Sequence, residues 1–115
     1  MQDHRKFLRA DICTEVEYQV LPLNSVFKSR TKNISRNGLC FLTKDELKVG
    51  TLLLLKFYLP DKEKTQIECV GKVIWQKKAD NGGYFTGVEF RDLDVEKELK
   101  ILLFILQYLK EIEEY

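Results

Sequence analysis

Positively charged side chains are concentrated in two short segments of the first third of the chain. The first segment contains Arg5, Lys6 and Arg9, and the second runs from Lys28 to Arg36 with four basic residues and no acidic one. If the first segment is extended, its two arginines lie roughly 13 Å apart, which suits two points on an anion of dinucleotide size. A guanidinium group can bind phosphate oxygens or the O6/N7 edge of guanine through two parallel hydrogen bonds, and it can also stack on a purine. The pattern favours binding of a nucleotide-sized anion, although a solvated surface can carry such charges as well.

The stretch Asn33–Gly38 has the composition of a turn that binds an anion or a base. Asn33 and Ser35 are two residues apart, so both side chains lie on one face of an extended chain. Gly38 is expected to let the chain turn with a positive φ angle. An ordinary β-turn has the same composition, so this stretch alone does not distinguish the two.

Groups that could perform catalysis or bind a metal are scarce. His4 is the only histidine, and it lies in a polar N-terminal segment where no fixed geometry is expected. Cys13, Cys40 and Cys69 lack the paired spacing of a zinc site and are expected to be reduced thiols. The sequence contains no glycine-rich loop of the nucleotide-binding type. We therefore expect a binding protein without a metal or a cofactor, and not an enzyme.

The composition is that of one small domain. A chain of 115 residues with 44% hydrophobic and 32% charged residues is expected to fold around a single core. The formal net charge of +1 gives no overall attraction to nucleic acid or to an anionic membrane. The longest apolar run, Ile101–Leu106, is far shorter than the roughly 20 residues that span a bilayer. A cytoplasmic location is expected, with no membrane span and no long nucleic acid as partner.

Six segments have the alternating or compact apolar pattern of β-strands, and short turns separate them. They are Asp11–Leu21, Leu23–Lys32, Gly38–Thr43, Thr51–Leu59, Thr65–Lys77 and Tyr84–Phe90. Segments of this length and spacing predict an antiparallel barrel or sandwich. Residues 1–10 show no strand alternation and are predicted to be a flexible arm.

The C-terminal residues 92–115 are predicted to form a helix, with Asp92 or Asp94 as the N-cap. Six apolar residues recur at three- and four-residue steps and are predicted to form the stripe that faces the barrel: Leu99, Leu102, Leu103, Leu106, Leu109 and Ile112. Additional apolar residues on other faces, such as Ile101 and Ile105, exceed the need of one docking surface. We expect a homodimer or another protein contact through this helix, with deep docking into the barrel as the alternative.

Four motifs in this order resemble those of the PilZ domain family. They are the Arg-x-x-x-Arg pattern of Arg5–Arg9, the Asn-x-Ser-x-x-Gly pattern of Asn33–Gly38, and the segments Gly71–Trp75 and Tyr84–Phe90. The resemblance extends over nearly the whole chain. It implies an all-β fold with a C-terminal helix: a flexible arm at residues 1–10, a six-stranded antiparallel β-barrel at residues 11–91 and an α-helix at residues 92–115.

The resemblance also implies a function, that of a receptor for the bacterial second messenger cyclic di-GMP. The ligand-binding residues are then Arg5, Arg9, Asn33, Ser35 and Gly38, and the candidate accessory contacts are His4, Lys6, Arg36 and Trp75. Many members carry another arginine where this chain has His4, so a single ligand and a stacked pair both stay open. Gly87 is expected to let backbones approach closely. Ligand binding is expected to order the arm and to signal to a partner protein in the regulation of motility or biofilm formation.

Two other functions stay open. One is a protein-interaction adaptor of PilZ type that does not bind nucleotide and uses its apolar helix as the working surface. The other is a small nucleic-acid-binding β-barrel, which needs exposed aromatic side chains and a positively charged groove. This function is disfavoured because the aromatic residues of the strands are predicted to be core positions: Phe27, Phe41, Phe57 and Tyr58.

Overall fold

The computed structural model describes residues 8–113, which form seven β-strands followed by one α-helix. The elements are β1 (Arg9–Ala10), β2 (Glu15–Val20), β3 (Val26–Ser35), β4 (Gly38–Thr43), β5 (Leu52–Tyr58), β6 (Gln66–Lys78), β7 (Tyr84–Phe90) and α1 (Val95–Glu113). The bounds of β4 and β7 agree with those predicted from the sequence. The short strand β1 was not predicted.

The strands form one antiparallel sheet that closes on itself. The strand order is β1-β3-β2-β5-β6-β7-β4, and β3 also pairs with β4, which closes six strands into a barrel. Both β1 and β2 pair with β3, so the chain from Arg9 to Val20 follows β3 from its last residues back to its first. The predicted six-stranded antiparallel barrel with a C-terminal helix is therefore confirmed.

The strand β2 begins later than predicted. In the residues before it, hydrogen bonds to a threonine side chain take the place of regular backbone pairing with β3. The Thr14 backbone N–H donates to Thr31 Oγ1 at 3.0 Å, and that hydroxyl donates in turn to the Ile12 carbonyl at 2.7 Å. Side-chain hydrogen bonds of this kind compete with a regular ladder. The strand β2 therefore begins at Glu15 instead of Asp11, and the threonines connect it to β1.

Two residues of the predicted N-terminal arm belong to the sheet instead. Arg9 pairs with Ser35 and Ala10 pairs with Ile34, and the Ala10 side chain is fully buried. Residues 9 and 10 thus belong to the sheet, because a small apolar residue at position 10 can enter the core while its neighbour stays on the surface. The remaining prediction concerns residues 1–7, which lie outside the described residues.

The core fills the barrel interior and continues into the helix. Leu53, Leu55 and Phe57 of β5 are fully buried and alternate with more exposed residues, as expected for a strand with one face in the core. Ile101 and Ile105 of α1 are also fully buried and belong to the same cluster. Full burial of such a side chain stabilises the fold by about 1.5–3 kcal/mol relative to leaving it exposed.

The helix packs on the barrel with a different face from the predicted one. Ile101 and Ile105 are buried, whereas Leu99, Leu103 and Leu106 of the predicted stripe are exposed. Both stripes are apolar and both recur at helical spacing, so periodicity could not select the buried one. Ile101 and Ile105 point into the barrel, and Leu109 of the predicted stripe packs at the edge of the core. The other members of that stripe are partly or largely exposed.

Polar contacts fix both ends of the helix. Asp94 Oδ1 accepts a hydrogen bond from the Lys97 backbone N–H at 2.8 Å, so Asp94 is the N-cap. The Tyr108 hydroxyl donates to the Asp11 carbonyl at 3.1 Å, next to β1. The helix is therefore held against the segment that carries the first predicted motif.

Candidate functional site

An open groove brings together the second predicted motif and the part of the first motif that the structure describes. It has a volume of about 440 Å³, within the usual range of ligand pockets. Its lining includes Arg9, Asn33, Ser35 and Gly38, which are four of the five predicted ligand-binding residues. The fifth, Arg5, lies outside the described residues, as do His4 and Lys6.

The short strand β1 positions Arg9. Because β1 pairs with the end of β3, Arg9 lies directly opposite Ser35 although the two are far apart in sequence. Arg9 Nε lies 3.5 Å from Asp11 Oδ1, and both side chains are largely exposed. An exposed ion pair of this kind is worth less than about 1 kcal/mol, so a phosphate can replace the carboxylate at little cost. Arg9 is thus a cation held at the edge of the groove.

The second motif forms the end of β3 and the turn into β4. The Ser35 hydroxyl lies 2.7 Å from Asn37 Oδ1 and 3.2 Å from the Gly38 carbonyl, so its proton can bond either oxygen. The Phe90 backbone N–H donates to the Asn37 carbonyl at 2.7 Å, which ties the turn to β7. These bonds hold the turn in one conformation before any ligand arrives.

Gly38 is required for a different reason from the predicted one. The described glycines with positive φ are Gly50, Gly82 and Gly83, so the expectation of a positive φ at Gly38 is wrong. A Cβ atom at position 38 would overlap the backbone carbonyl of Val88. Gly38 pairs with Glu89 of β7 in the sheet, and any side chain would separate β4 from β7. The glycine allows close packing beneath the groove.

Trp75 forms one wall of the groove. Its side chain lies over Gly87, its partner in the β6–β7 register, and a Cβ atom at position 87 would overlap the indole ring. Gly87 was expected to allow close approach of backbones, but it makes room for this side chain instead. Trp75 is 43% exposed, and its neighbour Ile74 is 44% exposed. The groove therefore presents an aromatic face, which base stacking requires.

The basic segment from Lys28 to Arg36 does not form one anion-binding surface. Its charges are divided among separate partners: Arg30 faces Glu15 and Lys28 faces Glu17 in the β2–β3 register. Lys32 Nζ lies 4.4 Å from the centroid of the Phe85 ring. Alternation along β3 sends these side chains to the outer surface of the barrel, where neighbouring strands supply acidic or aromatic residues.

Arg36 contacts the helix instead of lining the groove. Its Nη2 atom lies 3.3 Å from Glu98 Oε1. Arg36 is in the turn of the second motif and Glu98 is in the first turns of α1. The pair therefore connects the turn beside the groove to the helix.

Sequence reasoning missed several groove residues: Asn37, Leu39, Cys40, Ile74 and Val88. Asn37 lies within the second motif but at a position that the motif does not specify. Burial raises the pKa of the Cys40 thiol, and burial raises the pKa of Cys69 to about 12, so both are neutral at physiological pH. Among residues 8–113, no cluster of three or more histidine, cysteine, aspartate or glutamate residues is placed to hold a metal ion.

Within residues 8–113, no helix combines the length and the apolar character that are needed to cross a membrane. Among curated protein sequences, no relative matches the chain significantly. Solved structures do match it, at identities that show the fold alone.

The structure of the inhibitor of motility MotI from Bacillus subtilis has a TM-score of 0.83 at 18% identity and covers 96% of this chain. The chain spans about half the length of that protein, since the match covers 53% of it. The PilZ domain of YcgR from Escherichia coli, solved with cyclic di-GMP, has a TM-score of 0.74 at 15% identity; the match covers 97% of this chain and 96% of that one.

A PilZ domain protein from Xanthomonas campestris, described as a tetramer assembled through a helical bundle, has a TM-score of 0.60 at 10% identity. That match covers 81% of this chain and 51% of the other. The sequence model of the PilZ domain matches residues 3–107, which include all four predicted motifs and most of the helix. The chain belongs to the PilZ domain family.

Proposed function

We propose that this domain is a receptor for cyclic di-GMP, which binds in the groove between β1, the β3–β4 turn and Trp75. The observation that carries the proposal is the pairing of β1 with β3, which places Arg9 of the first motif opposite Ser35 of the second. Two fold neighbours, the PilZ domain of YcgR and MrkH from K. pneumonia, were solved with cyclic di-GMP, which supports the assignment.

The groove supplies the three kinds of contact that a cyclic dinucleotide needs. Arg9 offers a guanidinium for a phosphate or a guanine edge, and Arg5 would supply the second one from the preceding residues. Asn33 and the β3–β4 turn offer polar groups for the other guanine. Trp75 offers a face for stacking. Lys6 and His4 are proposed to contribute further contacts from the arm.

The proposed output is an ordering of residues 1–8 on the barrel. Arg9 and Ala10 are already anchored by the sheet, so ligand bound between Arg5, Arg9 and the turn would fix the segment that precedes the anchor. The result would be a new surface made of protein and ligand together, which a partner protein recognises. The fold neighbour MotI is an inhibitor of motility, which supports motility as the process that such a partner controls.

Titration calorimetry tests the binding site. Removal of a charge-assisted bidentate hydrogen bond costs about 1.5–3 kcal/mol, so Arg9→Ala should weaken cyclic di-GMP binding by roughly 10- to 150-fold. Arg9→Lys should also bind weakly, because one ammonium group cannot reproduce the guanidinium fork. Arg30→Ala is the matched control, since Arg30 is exposed and lies outside the groove, and it should bind like the parent protein.

GTP and a short single-stranded oligonucleotide complete the same experiment. Cyclic di-GMP should bind much more tightly than either. Equal binding of the oligonucleotide would instead favour a nucleic-acid-binding barrel, and absence of all binding would favour an adaptor. Equal affinities of the Arg9→Ala and Arg30→Ala variants would overturn the site assignment.

Amide exchange and limited trypsin digestion test the ordering of the arm. Saturating cyclic di-GMP should slow exchange at Phe7 and Leu8 and protect the chain from cleavage after Arg5 and Lys6. Exchange in β5 should change little, because no residue of that strand lines the groove. If exchange and cleavage of the arm are the same with and without ligand, the ordering mechanism is wrong even where binding is confirmed.

A second candidate function is favoured by the exposed leucines of α1. An adaptor that binds another protein through this helix would need such an apolar surface, and it would not need the groove. The Arg9→Ala variant would then keep its activity.

A further inference from the structure

The outward face of α1 carries an apolar stripe that the barrel does not cover. Its members are exposed to between 45% and 80%: Val95, Leu99, Leu103 and Leu106. They recur at steps of four, four and three residues, which places them on one side of the helix. Ile101 and Ile105 lie on the opposite side and are buried in the barrel. We call Val95, Leu99, Leu103 and Leu106 the outer stripe.

Two opposite charges flank the centre of this stripe at equal distances. Glu96 lies seven residues before Leu103, and Lys110 lies seven residues after it. Seven residues are close to two full turns, so the three side chains form a line along the helix, with each charge about 10 Å from Leu103. The helix is therefore acidic at one end of this line and basic at the other.

We infer that a second copy of this chain packs its α1 antiparallel against the outer stripe, with the two-fold axis at Leu103. In this arrangement Glu96 of each copy faces Lys110 of the other, so the ion pair forms twice. The leucines of both copies are buried in between. The dimer does not depend on nucleotide binding.

Within its own helix, Glu96 already has a basic neighbour. Its Oε1 atom lies 3.6 Å from Lys100 Nζ, and the Glu96 side chain is 80% exposed. An exposed pair four residues apart contributes only about 0.3–0.5 kcal/mol, so it does not prevent Glu96 from facing a second lysine.

The charges select the antiparallel orientation over the parallel one. A parallel pair in the same register would place Glu96 against Glu96 and Lys110 against Lys110, and both contacts are repulsive. The antiparallel pair also aligns opposite helix dipoles. A surface that complements itself under two-fold rotation is the usual basis of a homodimer. The line of Glu96, Leu103 and Lys110 complements itself under such a rotation. A surface that binds an unrelated protein has no need to complement itself.

The contact is small, which sets the expected affinity. One helix of 19 residues from each copy buries less area than the roughly 1,200–2,000 Å² of a standard interface, so a dissociation constant on the order of micromolar is expected. Sedimentation velocity over about 1 to 500 μM should therefore show a monomer converting to a dimer. A monomer at every concentration would overturn the inference.

A substitution in the outer stripe tests its location. Leu103→Lys should weaken the dimer by at least about tenfold, since two lysines would meet at the axis. Leu23→Lys is the matched control: Leu23 is 60% exposed, close to the 57% of Leu103, but lies in the β2–β3 connection. Equal effects of the two substitutions, with both variants folded by circular dichroism, would place the interface elsewhere.

Charge reversal tests the orientation. Glu96→Lys and Lys110→Glu should each weaken the dimer, because each places like charges opposite one another. The double variant should restore the dimer, because positions 96 and 110 of the two copies then carry opposite charges again. A parallel dimer would not be restored in this way, since like charges would still meet. Failure of the double variant to recover affinity would reject the antiparallel pairing.

Cross-linking gives an independent measure of the register. In a Cys13→Ser background, which removes the exposed native thiol, Leu103→Cys should form a disulfide between copies at the axis. Val95→Cys should not, because antiparallel copies of residue 95 lie about 24 Å apart along the axis, far beyond disulfide reach. Efficient cross-linking at both positions would show a parallel dimer and overturn the inference.

Discussion

Trp75 and Gly87 are neighbours across the β6–β7 pair, and the indole of Trp75 occupies the space that a side chain at position 87 would fill. The orientation of the tryptophan therefore depends on the absence of a Cβ atom on the adjacent strand. Both residues therefore form this wall of the groove: Trp75 supplies the ring, and Gly87 leaves space for it.

Substitution of Gly87 should displace the ring. Gly87→Ala is expected to destabilise the fold by about 1–3 kcal/mol, the usual cost of overpacking, and to change the emission spectrum of Trp75, the only tryptophan. The spectrum reports the ring directly, and chemical denaturation reports stability. Gln66→Ala is the control, because Gln66 is exposed at the start of β6. An unchanged spectrum in Gly87→Ala would show that the ring does not rest on Gly87.

Trp75 should contribute stacking energy to ligand binding. Loss of a base–aromatic stack costs about 1–3 kcal/mol, so Trp75→Ala should weaken cyclic di-GMP binding by roughly 5- to 150-fold, and Trp75→Phe should weaken it less. Calorimetry measures both. Ile74→Ala removes the exposed apolar neighbour and should have a smaller effect, because it has no aromatic face. Equal losses for Trp75→Ala and Trp75→Phe would argue against stacking.

Gly38 should tolerate no side chain. The atom that a Cβ would overlap belongs to the Val88 backbone, which cannot rotate away as the Trp75 side chain can. Gly38→Ala is therefore expected to destabilise the fold more than Gly87→Ala does, and to weaken ligand binding by separating β4 from β7. Thermal unfolding of the two variants under the same conditions shows which one is less stable. A Gly38→Ala variant as stable as the parent would contradict the packing argument.

The ion pair between Arg36 and Glu98 should influence binding more than stability. Both side chains are about half exposed, so Glu98→Gln should change the free energy of unfolding by less than about 1 kcal/mol. Removal of this negative charge beside the turn should strengthen cyclic di-GMP binding by about two- to fivefold at low salt, and less at high salt. Glu113→Gln, at the far end of α1, is the control and should have no effect. Weaker binding in Glu98→Gln would mean that the carboxylate helps to position the site.

The three thiols should differ in reactivity with pH. Cys13 is exposed, whereas Cys40 and Cys69 are buried and burial raises the pKa of both, that of Cys69 to about 12. At pH 9 only about one part in a thousand of Cys69 is thiolate, so a thiol reagent should modify one cysteine quickly and two slowly in the native protein. Cys13→Ser should remove the fast phase. Three equal rates would contradict the burial.

The raised pKa of Cys69 should also make stability depend on pH. The unfolded thiol of Cys69 loses its proton near pH 8.5, well before the folded one, so alkaline conditions favour the unfolded state. This contribution to stability is present below about pH 8.5 and is lost as the pH rises towards 12. Urea unfolding of the parent and Cys69→Ala between these values should show a steeper loss of stability in the parent.

Strand bounds could be predicted where the pattern of apolar residues is clear. They could not be predicted where polar residues form part of the strand. The bounds of β4 and β7 follow from compact apolar patterns, but β3 extends to Ser35 through polar residues that resemble a turn. The strand β1 has two residues, too few for any periodic signal, and it forms because Ala10 fits the core. The buried face of α1 was ambiguous in principle, since isoleucines and leucines form two apolar stripes around one helix.

Most residues of the candidate site could be predicted from the sequence, but the contacts that hold them in place could not. Motif spacing indicated Arg9, Asn33, Ser35 and Gly38, which do line one groove. The reason for Gly38 and the placement of Trp75 depend on contacts with β7, which is distant in sequence. A tryptophan on one strand and a glycine on the next suggest such a contact only when the register is known.

The pairing of Arg9 and Ala10 with β3 fixes the last residue of the first motif beside the second motif. Arg5 is four residues from a fixed point, so its backbone can lie no further than about 14 Å from that of Arg9 whatever conformation the intervening residues adopt. Confinement to such a volume corresponds to an effective concentration in the millimolar range or above. If cyclic di-GMP binds in the groove as proposed, the guanidinium of Arg5 would reach it without a diffusional search, because Arg5 belongs to the same chain.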